Sequence, residues 1–351
     1  MRMATKEINK SFEIESFITN HGAMVFAIPM QLFPILRGYA YLIVDENYSP
    51  PRTILIDTGS VSTEANSQLE TGLQWISEKL SRKIDFSTLS DVLLTHGHID
   101  HFGGCYQIRQ KSAVRIVIHE LDLRNLTNYE ERIVVISKRL EEFLIEAGVE
   151  ENQRGEYLDL YRLTKSLGKS ISNVTTYQQV REQLGRFEIL HLPGHCAGQV
   201  VIKLDNILFS GDMVLSHISP HQSPEHLTLY TGLGHYLESL KRLKDWGKDI
   251  ELTLAGHGAP IHNLEQRITE IEQVHQERLE KVLELLKQPQ TIAQISAQLF
   301  GEVYGYNVLL AIEEAGAHVE YLYSRGYLEI VNLNQMENNH QTIPILYHRV
   351  G

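Results

Sequence analysis

The chain has 351 residues, of which 42% are hydrophobic and 22% are charged, and its formal net charge is −12. These values are ordinary for a soluble globular protein that is long enough for two domains. Two cysteines exclude a disulfide framework and suit a reducing compartment.

The N-terminal stretch, Met1 to Ser16, mixes charged residues with no apolar run. It therefore lacks the features of a secretory signal and of a membrane span. We expect a cytoplasmic protein with no membrane partner.

The first half of the chain predicts strands followed by a helix. Apolar stretches alternate with polar turns from Gly22 to Leu55, which indicates antiparallel strands. Apolar side chains then recur at helical spacing from Thr63 to Leu80. The short apolar run from Asp91 to Leu94 predicts a buried strand that leads into the most informative segment.

That segment, Thr95 to His101, has the sequence T-H-G-H-I-D-H. Neutral imidazole suits zinc and its neighbours in the first transition row, and a catalytic zinc typically takes three protein ligands. His96 and His98 alternate around a glycine, so one turn can direct both rings to one ion. Asp100 and His101 follow at once and would face a second ion. The segment therefore predicts a divalent-metal site.

The next region, from about residue 122 to 180, follows a predicted strand at Val114 to Ile118. Apolar side chains between Ile133 and Ala147 recur every three to four residues, which predicts a helix of about four turns. Two interpretations stay open. The segment either caps the metal-binding edge and sets substrate size, or it completes an outer layer of helices.

Three more residues of ligand type each follow a short predicted strand. The strands are Phe187 to His191, Ile207 to Phe209 and Leu252 to Ala255, and the residues are His195, Asp212 and His257. Layered α/β folds gather functional side chains at one edge of their sheets, so we expect these residues to join the metal site.

The C-terminal part changes character and predicts three helices followed by two strands. The helices are Asn263 to Lys287, Thr291 to Phe300 and Asn307 to Ser324, and the strands are Tyr327 to Val331 and Ile343 to Tyr347.

The motif H-x-H-x-D-H, followed in order by a spaced His, Asp and His, resembles the metallo-β-lactamase superfamily of metallohydrolases. The resemblance spans roughly residues 20 to 262 and includes I-D-T-G at Ile56 to Gly59. It implies an α+β fold, the αββα sandwich, in which two mixed sheets lie face to face with helices outside and the metals at one edge.

The resemblance also implies a role for each ligand-type residue. The first ion would be held by His96, His98 and His195. The second ion would be held by Asp100, His101 and His257, and Asp212 would bridge both ions. Zinc is the metal we expect, although nitrogen and carboxylate ligands also accept iron or manganese.

The order of the C-terminal elements resembles the winged-helix tail found on one branch of these hydrolases. We therefore expect a catalytic domain at residues 1–262, with its helical insertion at about 122–180, and a winged-helix domain at 263–351. From Glu277 to Val331 four basic residues face eight glutamates. Such a balance repels phosphates, so the tail would pack on the catalytic domain, shape the substrate entrance or support a homodimer.

The resemblance and the predicted site favour a dinuclear metallohydrolase acting on a small thioester, lactone or related acyl ester. Bound ions lower the pKa of water to about 7 and polarise a carbonyl, and Asp100 would take the proton. One alternative is a phosphodiesterase or ribonuclease acting on single-stranded RNA. Another, from a different class, is a non-catalytic regulator that binds DNA through the tail.

Several residues near the motifs have open or structural interpretations. Asp57 either orients a ligand from outside the metal shell or serves an ordinary turn. Cys196 is a lone thiol and is expected to be a small buried residue. Five other histidines are expected to be structural: His119, His217, His221, His226 and His235. Of these, His217 and His221 are expected to border the metals.

Overall fold

The computed structural model describes residues 13–339 and 341–351. Most of Met1 to Ser16, on which the expectation about a leader rests, lies outside these residues. The strands, in chain order, are β1 Glu15–Ile18, β2 Met24–Phe33, β3 Leu36–Asp45, β4 Arg52–Ile56, β5 Asp91–Leu93, β6 Arg115–Ile118, β7 Val174–Thr176, β8 Phe187–His191, β9 Val200–Leu204, β10 Ile207–Gly211, β11 Leu252–Ala255, β12 Leu328–Ile330 and β13 Tyr347–Arg349.

Helices occupy most of the remaining chain. In chain order they are α1 Thr63–Lys79, α2 Ile99–Phe102, α3 Cys105–Lys111, α4 Leu123–Thr127, α5 Tyr129–Glu146, α6 Glu151–Lys165, α7 Tyr177–Val180, α8 Leu233–Trp246, α9 Leu264–Leu285, α10 Ile292–Phe300, α11 Tyr306–Tyr323 and α12 Leu333–Glu337.

Two mixed sheets form the body of the molecule. The first contains β1 to β7 in sequential order, antiparallel from β1 to β4 and parallel from β4 to β7. The second has the order β11-β10-β9-β8, in which only β10 and β11 run parallel. Because parallel strands end at the same edge, β4, β5, β10 and β11 bring the residues that follow them to one side of the molecule.

Alternation of side chains along the strands produces four layers. Ile43 of β3 and Phe209 of β10 belong to the buried cluster that lies between the two sheets. Leu42 of β3 faces the opposite way and packs in a cluster with Leu69 of α1. Val201 of β9 packs in a third cluster with helices of the second outer layer. This order of helix, sheet, sheet and helix is the mixed α+β sandwich that the sequence predicts.

Local sequence explains where the outer helices begin. The side chain of Ser62 accepts a hydrogen bond from the Ala65 amide and caps α1. At α10, Thr291 and Gln294 form a capping box, in which each side chain satisfies the backbone amide of the other.

The region of residues 122–180 contains more structure than the single helix we predict. The predicted helix is α5, but α6 follows it and β7 then joins the first sheet as an edge strand parallel to β6. The end of α5 contacts the C-terminal part, because the Ala147 carbonyl accepts from the Ala293 amide at 2.8 Å.

The C-terminal part has the three predicted helices and an antiparallel pair, β12 and β13. The bounds predicted for the second strand, Ile343 to Tyr347, are wrong because the strand begins at Tyr347. The amide of Ile345 donates instead to the carbonyl of Glu146, and that of Leu346 donates to the Asn332 side chain. Because these amides have other partners, residues 343–346 do not extend the β-ladder between β12 and β13.

The C-terminal helices share a hydrophobic core with the sandwich. One buried cluster contains Leu208 of the second sheet, Phe143 of α5, Leu240 of α8 and Leu309 of α11. Within residues 13–339 and 341–351, no helix combines the length and the apolar content that a bilayer crossing requires.

Candidate metal centre

The seven ligand-type residues of the sequence meet at the edge where β4, β5, β10 and β11 end. The segment with the T-H-G-H-I-D-H sequence follows β5, and its last residues form the start of α2. Asp212 follows β10 directly, and His257 lies two residues beyond β11. His195 lies in the loop between β8 and β9.

These side chains form overlapping groups in which every possible ligand atom lies within 4.8 Å of the others. The groups are His96 with His98 and His195; His96 with His101 and Asp212; and Asp100 with His101 and His257. Each group offers three donors, which is the number that a catalytic zinc typically takes from a protein.

Asp212 lies between the groups. Its Oδ1 is 3.4 Å from His101 Nε2, and its Oδ2 is 3.7 Å from His195 Nε2 and 3.5 Å from His257 Nε2. Asp100 Oδ2 is 3.4 Å from the same His257 nitrogen. One carboxylate can therefore contact two neighbouring cations, and the other can contact one of them.

Asp57 and Thr95 orient two of the histidine rings. His101 Nδ1 is 2.8 Å from Asp57 Oδ2, and the Thr95 hydroxyl donates to the same oxygen at 2.8 Å. Since that hydroxyl donates to Asp57, its oxygen is free to accept from His96 Nδ1 at 3.1 Å. Both Nδ1 atoms therefore carry a proton, so Nε2 is the atom of each ring that offers a lone pair when the ring is neutral.

Backbone carbonyls perform the same function for two other rings. His195 Nδ1 donates to the His221 carbonyl at 2.8 Å, and His257 Nδ1 donates to the Arg37 carbonyl at 2.6 Å. A carbonyl can only accept, so these bonds also direct the Nε2 atoms toward the centre of the cluster.

Unpartnered buried atoms show that the cluster fits cations. Among the described residues, the Nε2 atoms of His96, His101 and His195 and the Oδ1 atom of Asp212 are buried and have no hydrogen-bond partner. Buried polar atoms are rarely left unpaired, and metal ions bound by these groups would satisfy all four. Gly256 keeps the space open, because a Cβ there would lie 2.6 Å from Asp212 Oδ1.

The local electrostatics also favour positive charge. Burial lowers the pKa of His257, but Asp212 and Asp100 outweigh it and raise that pKa to about 10. Burial likewise lowers the pKa of His101, and Asp212 and Asp57 raise it well above the usual range. In contrast, burial holds the pKa of His96 well below its usual value, with further lowering from the neighbouring histidines. Against the effect of burial, His257 and His101 in turn lower the pKa values of Asp100 and Asp212, which are therefore ionised, while His96 stays neutral and suits a metal ligand.

Asp57 is both a turn residue and a hydrogen-bond partner of a ring in the cluster, so the two interpretations of this residue apply together. Its φ angle is 57°, so it occupies the left-handed turn conformation that few residues other than glycine adopt. In that conformation its carboxylate bonds His101 and Thr95. The turn therefore directs the carboxylate toward the cluster.

Asp122 supports the motif segment, and the sequence analysis missed it. Its buried carboxylate accepts from the amides of Gly97 at 2.7 Å and Gly198 at 3.0 Å and from Cys196 Sγ at 3.2 Å. It thereby ties the loop that carries His98 to the loop that carries the buried Cys196. Burial raises the pKa of the Cys196 thiol well above its usual value, which suits a donor to Asp122 and not a metal ligand.

Within the described part of the chain, none of the five other histidines belongs to the groups of ligand-type residues, and His217 is exposed. The ring of His119 stacks on that of His191, with centroids 3.8 Å apart. His226 and His235 lie beside glutamates on the surface. His221 borders the cluster, and it does so through its carbonyl and not through its ring.

Side chains from α6 and α11 lie near Asp100. Lys165 is half-buried, and no carboxylate among the described residues lies within 4 Å of its ammonium. Burial lowers the pKa of Lys165, while Asp100 and Glu313 oppose that effect. Tyr306, at the start of α11, has its pKa raised well above normal by burial and by Glu313, Tyr161 and Asp100. The predicted insertion and the C-terminal part therefore both contribute to the surroundings of the cluster.

Comparison with known proteins gives the same family by three routes. The family model described as "Metallo-beta-lactamase superfamily" matches residues 34–286. A curated relative, described as the probable metallo-hydrolase YqjP of Bacillus subtilis (strain 168), is 26% identical over 287 residues, which are 76% of this chain and 83% of that protein.

Two solved structures are similar over nearly the whole chain. The metallo-beta-lactamase family protein TTHA1429 from Thermus thermophilus has a TM-score of 0.71 and 25% identity, with 93% of this chain and 98% of that chain covered. A beta-lactamase domain protein from Burkholderia ambifaria has a TM-score of 0.70 and 22% identity, with 96% and 94% covered. Both similarities extend beyond residue 262 into the C-terminal helices.

Proposed function

The chain is a metallo-hydrolase of the metallo-beta-lactamase superfamily, and we propose that it hydrolyses a small thioester, lactone or related acyl ester at a dinuclear metal centre. The observation that carries the proposal is the set of unpartnered ligand atoms at the sheet edge, all directed at a shared space.

We propose that the first ion is held by His96, His98 and His195 and the second by Asp100, His101 and His257, with Asp212 between them. Two such ions supply an activated water and an electrophile for the substrate carbonyl. Zinc is the metal we favour, and iron and manganese also suit a set of nitrogen and oxygen donors without thiolate.

The chain's own groups would then position the reactants and take up a proton. Asp100 directs Oδ2 toward His257 and His101, which leaves Oδ1 to accept a proton from the attacking water. Asp57 and the Arg37 carbonyl keep the rings of His101 and His257 in fixed orientations. Lys165 would contact an anionic part of the acyl substrate, since its charge has no carboxylate partner within 4 Å in the described part of the chain.

We also propose that residues 263–351 are a winged-helix module that packs on the catalytic domain and binds no nucleic acid. The order of three helices and an antiparallel pair supports the first part. The second part is supported by α11, the helix that would enter a DNA groove. Its three glutamates accept hydrogen bonds from, or pair with, the segment of residues 221–226.

A substrate screen with metal analysis tests the proposal. Purified protein expressed without added metal is analysed for bound elements, and we expect close to two divalent ions per chain. It is then assayed with thioesters, lactones and single-stranded RNA, and each acyl substrate is paired with an analogue that carries a carboxylate. Turnover of an acyl substrate that a chelator abolishes, with preference for the anionic analogue, supports the proposal. Cleavage of RNA alone, or unchanged turnover after chelation, contradicts it.

A further inference from the structure

Glu314 is a buried carboxylate that the proposed chemistry does not use. It lies in the middle of α11, in the C-terminal part, and only 6% of its surface is exposed. An ionised carboxylate loses hydration when it is buried, so it requires several hydrogen-bond donors or cations around it. The identity of those donors indicates what Glu314 does.

The donors to Glu314 come from one short loop and from α9. The Gln222 amide donates to Glu314 Oε2 at 2.7 Å, and His221 Nδ1 lies 3.4 Å from the same oxygen. Arg278 of α9 donates to Oε1 at 2.8 Å and to the Ser219 hydroxyl at 3.0 Å. Glu314 and Arg278 together hold the segment of residues 219–222, which we call the anchored loop.

The anchored loop is hydrogen-bonded to the cluster through a backbone carbonyl. The carbonyl of His221 accepts the Nδ1 proton of His195 at 2.8 Å, and this bond fixes which nitrogen of His195 faces the cluster. Two hydrogen-bonded steps therefore connect a helix of the C-terminal part to a candidate metal ligand.

A second metal site around Glu314 is the competing interpretation, because Glu314, His275 and His318 also lie within ligand distance of one another. However, His275 Nδ1 and His318 Nε2 bond each other at 3.2 Å, and Arg278 occupies Glu314 Oε1. His318 Nδ1 also donates to the Glu314 carbonyl. His275 Nδ1 and both ring nitrogens of His318 are therefore used within the protein, and His275 Nε2 is the one nitrogen of this group without a partner among the described residues. The guanidinium of Arg278 beside the group opposes a cation.

We propose that Glu314 is a positioning residue for the metal centre: through the anchored loop it fixes the His221 carbonyl, so that His195 presents its Nε2 to an ion. This inference rests on the proposed role of His195 as a ligand. It also means that the C-terminal part completes the metal centre and is not a separable accessory. Hydrogen-bond partners outside the ligand shell commonly change metal affinity by about 10–100-fold.

Substitution Glu314→Gln tests the inference, with Glu320→Gln as a matched control. Glutamine has the same size, but its amide N–H₂ meets donors from the anchored loop and Arg278. Glu320 is also on α11 and accepts the amides of Glu225 at 2.7 Å and His226 at 3.1 Å, although no contact connects its side chain to His195 within the described residues. If the loss of a carboxylate–amide contact were alone enough to weaken Zn²⁺ binding, both variants would show the same weakening.

Full-length proteins are stripped of metal and titrated with Zn²⁺ against a chromophoric chelator, and the thermal unfolding midpoint of each metal-free protein is recorded. We expect Glu314→Gln to weaken binding of one ion about tenfold, Glu320→Gln to change it less than about twofold, and the metal-free midpoints of the two variants to be similar. Should Glu314→Gln be insoluble, Arg278→Gln replaces it, with a loss of a few fold expected in the same ion.

Equal Zn²⁺ binding by wild type and Glu314→Gln would overturn the inference and leave the proposed function intact. Equal weakening in both glutamate variants would also overturn it, because the effect would then follow from α11 as a whole. A wild-type protein that binds no divalent ion would instead overturn the proposed function itself.

Discussion

The two sides of the candidate metal centre are held in different ways. On one side, Asp57 bonds His101 and Thr95 from the end of a central strand in the first sheet. On the other side, the ring of His195 bonds a backbone carbonyl, its one hydrogen-bond partner in the described part of the chain. The loop that carries this carbonyl is anchored by Glu314 from the C-terminal part. The first support, the charged side, is a carboxylate that contacts the ring directly. The second support, the transmitted side, is a neutral carbonyl whose position Glu314 fixes through the anchored loop.

The difference has chemical consequences. A carboxylate that accepts the Nδ1 proton increases the basicity of the opposite nitrogen and fixes the ring, whereas a carbonyl mainly fixes the ring. Asp57 should therefore influence metal affinity more than Glu314 does. The second support depends on more of the chain, so it should respond more strongly to conditions that weaken the packing of α9 and α11.

Asp212 belongs to both sides, and its loss should produce the largest effect. Because its two oxygens face three histidines, Asp212→Ala should remove the contact that joins the two ion sites. We expect kcat to fall roughly a thousandfold or more, about 4 kcal/mol in the barrier, and bound metal to fall below two ions per chain. Elemental analysis and steady-state kinetics measure both quantities. Full metal content with unchanged kcat would show that the two sides do not share this residue.

Substitution Asp57→Asn tests the charged support alone. Zn²⁺ affinity should fall toward the upper end of about 10–100-fold, because asparagine removes the charge while keeping the size. Asp91→Asn is the control, since Asp91 is also buried, lies at the opposite end of the same sheet and pairs with Arg52 and Arg115. Chelator competition should show normal affinity in Asp91→Asn even where its unfolding midpoint falls. A smaller loss for Asp57→Asn than for Glu314→Gln would reverse the ranking of the two supports.

Acid should weaken the transmitted side through His275. Burial lowers the pKa of His275 to about 3, so the folded protein keeps it neutral, whereas an unfolded chain protonates it near pH 6.5. The unfolded state therefore binds more protons between these values, and stability present above pH 6.5 is lost as the pH falls toward 3. The slope from this group approaches about 1.4 kcal/mol per pH unit.

Denaturant unfolding of wild type and His275→Gln at pH 7.5 and 5.5 measures this smallest effect. The substituted protein should lose less stability between the two values. His348→Gln serves as the control, because His348 lies on β13 beside Glu329 with a third of its side chain exposed. Identical pH dependence in wild type and His275→Gln would contradict the assignment.

Short-range patterns in the sequence predicted the seven ligand-type residues and several of the strands that carry them. Strands β8 and β11 have the predicted bounds, and the seven ligand-type residues each follow an apolar strand or a turn that is visible in the sequence. The superfamily resemblance supplied the layered fold, since periodicity alone does not determine which sheets face each other.

The transmitted side could not be predicted, for physical reasons. Glu314 and Gln222 are 92 positions apart, and Asp122 and Gly198 are 76 apart, so neither contact leaves a local pattern. From the sequence alone, Glu314 of α11 is expected to be exposed to solvent, because its burial depends on tertiary packing. The edge strand β7 was missed because its three residues form a strand only by pairing with β6.

The bond between His257 and the Arg37 carbonyl joins residues 220 positions apart, and it has a consequence for biosynthesis. A nascent chain that has emerged only as far as the T-H-G-H-I-D-H segment contains four of the seven ligand-type residues and still lacks His195, Asp212 and His257. Arg37 belongs to an early hairpin, and the ring that it orients is the last of the seven to be translated. We therefore expect tight metal loading to be a late event that follows the docking of the second sheet onto the first.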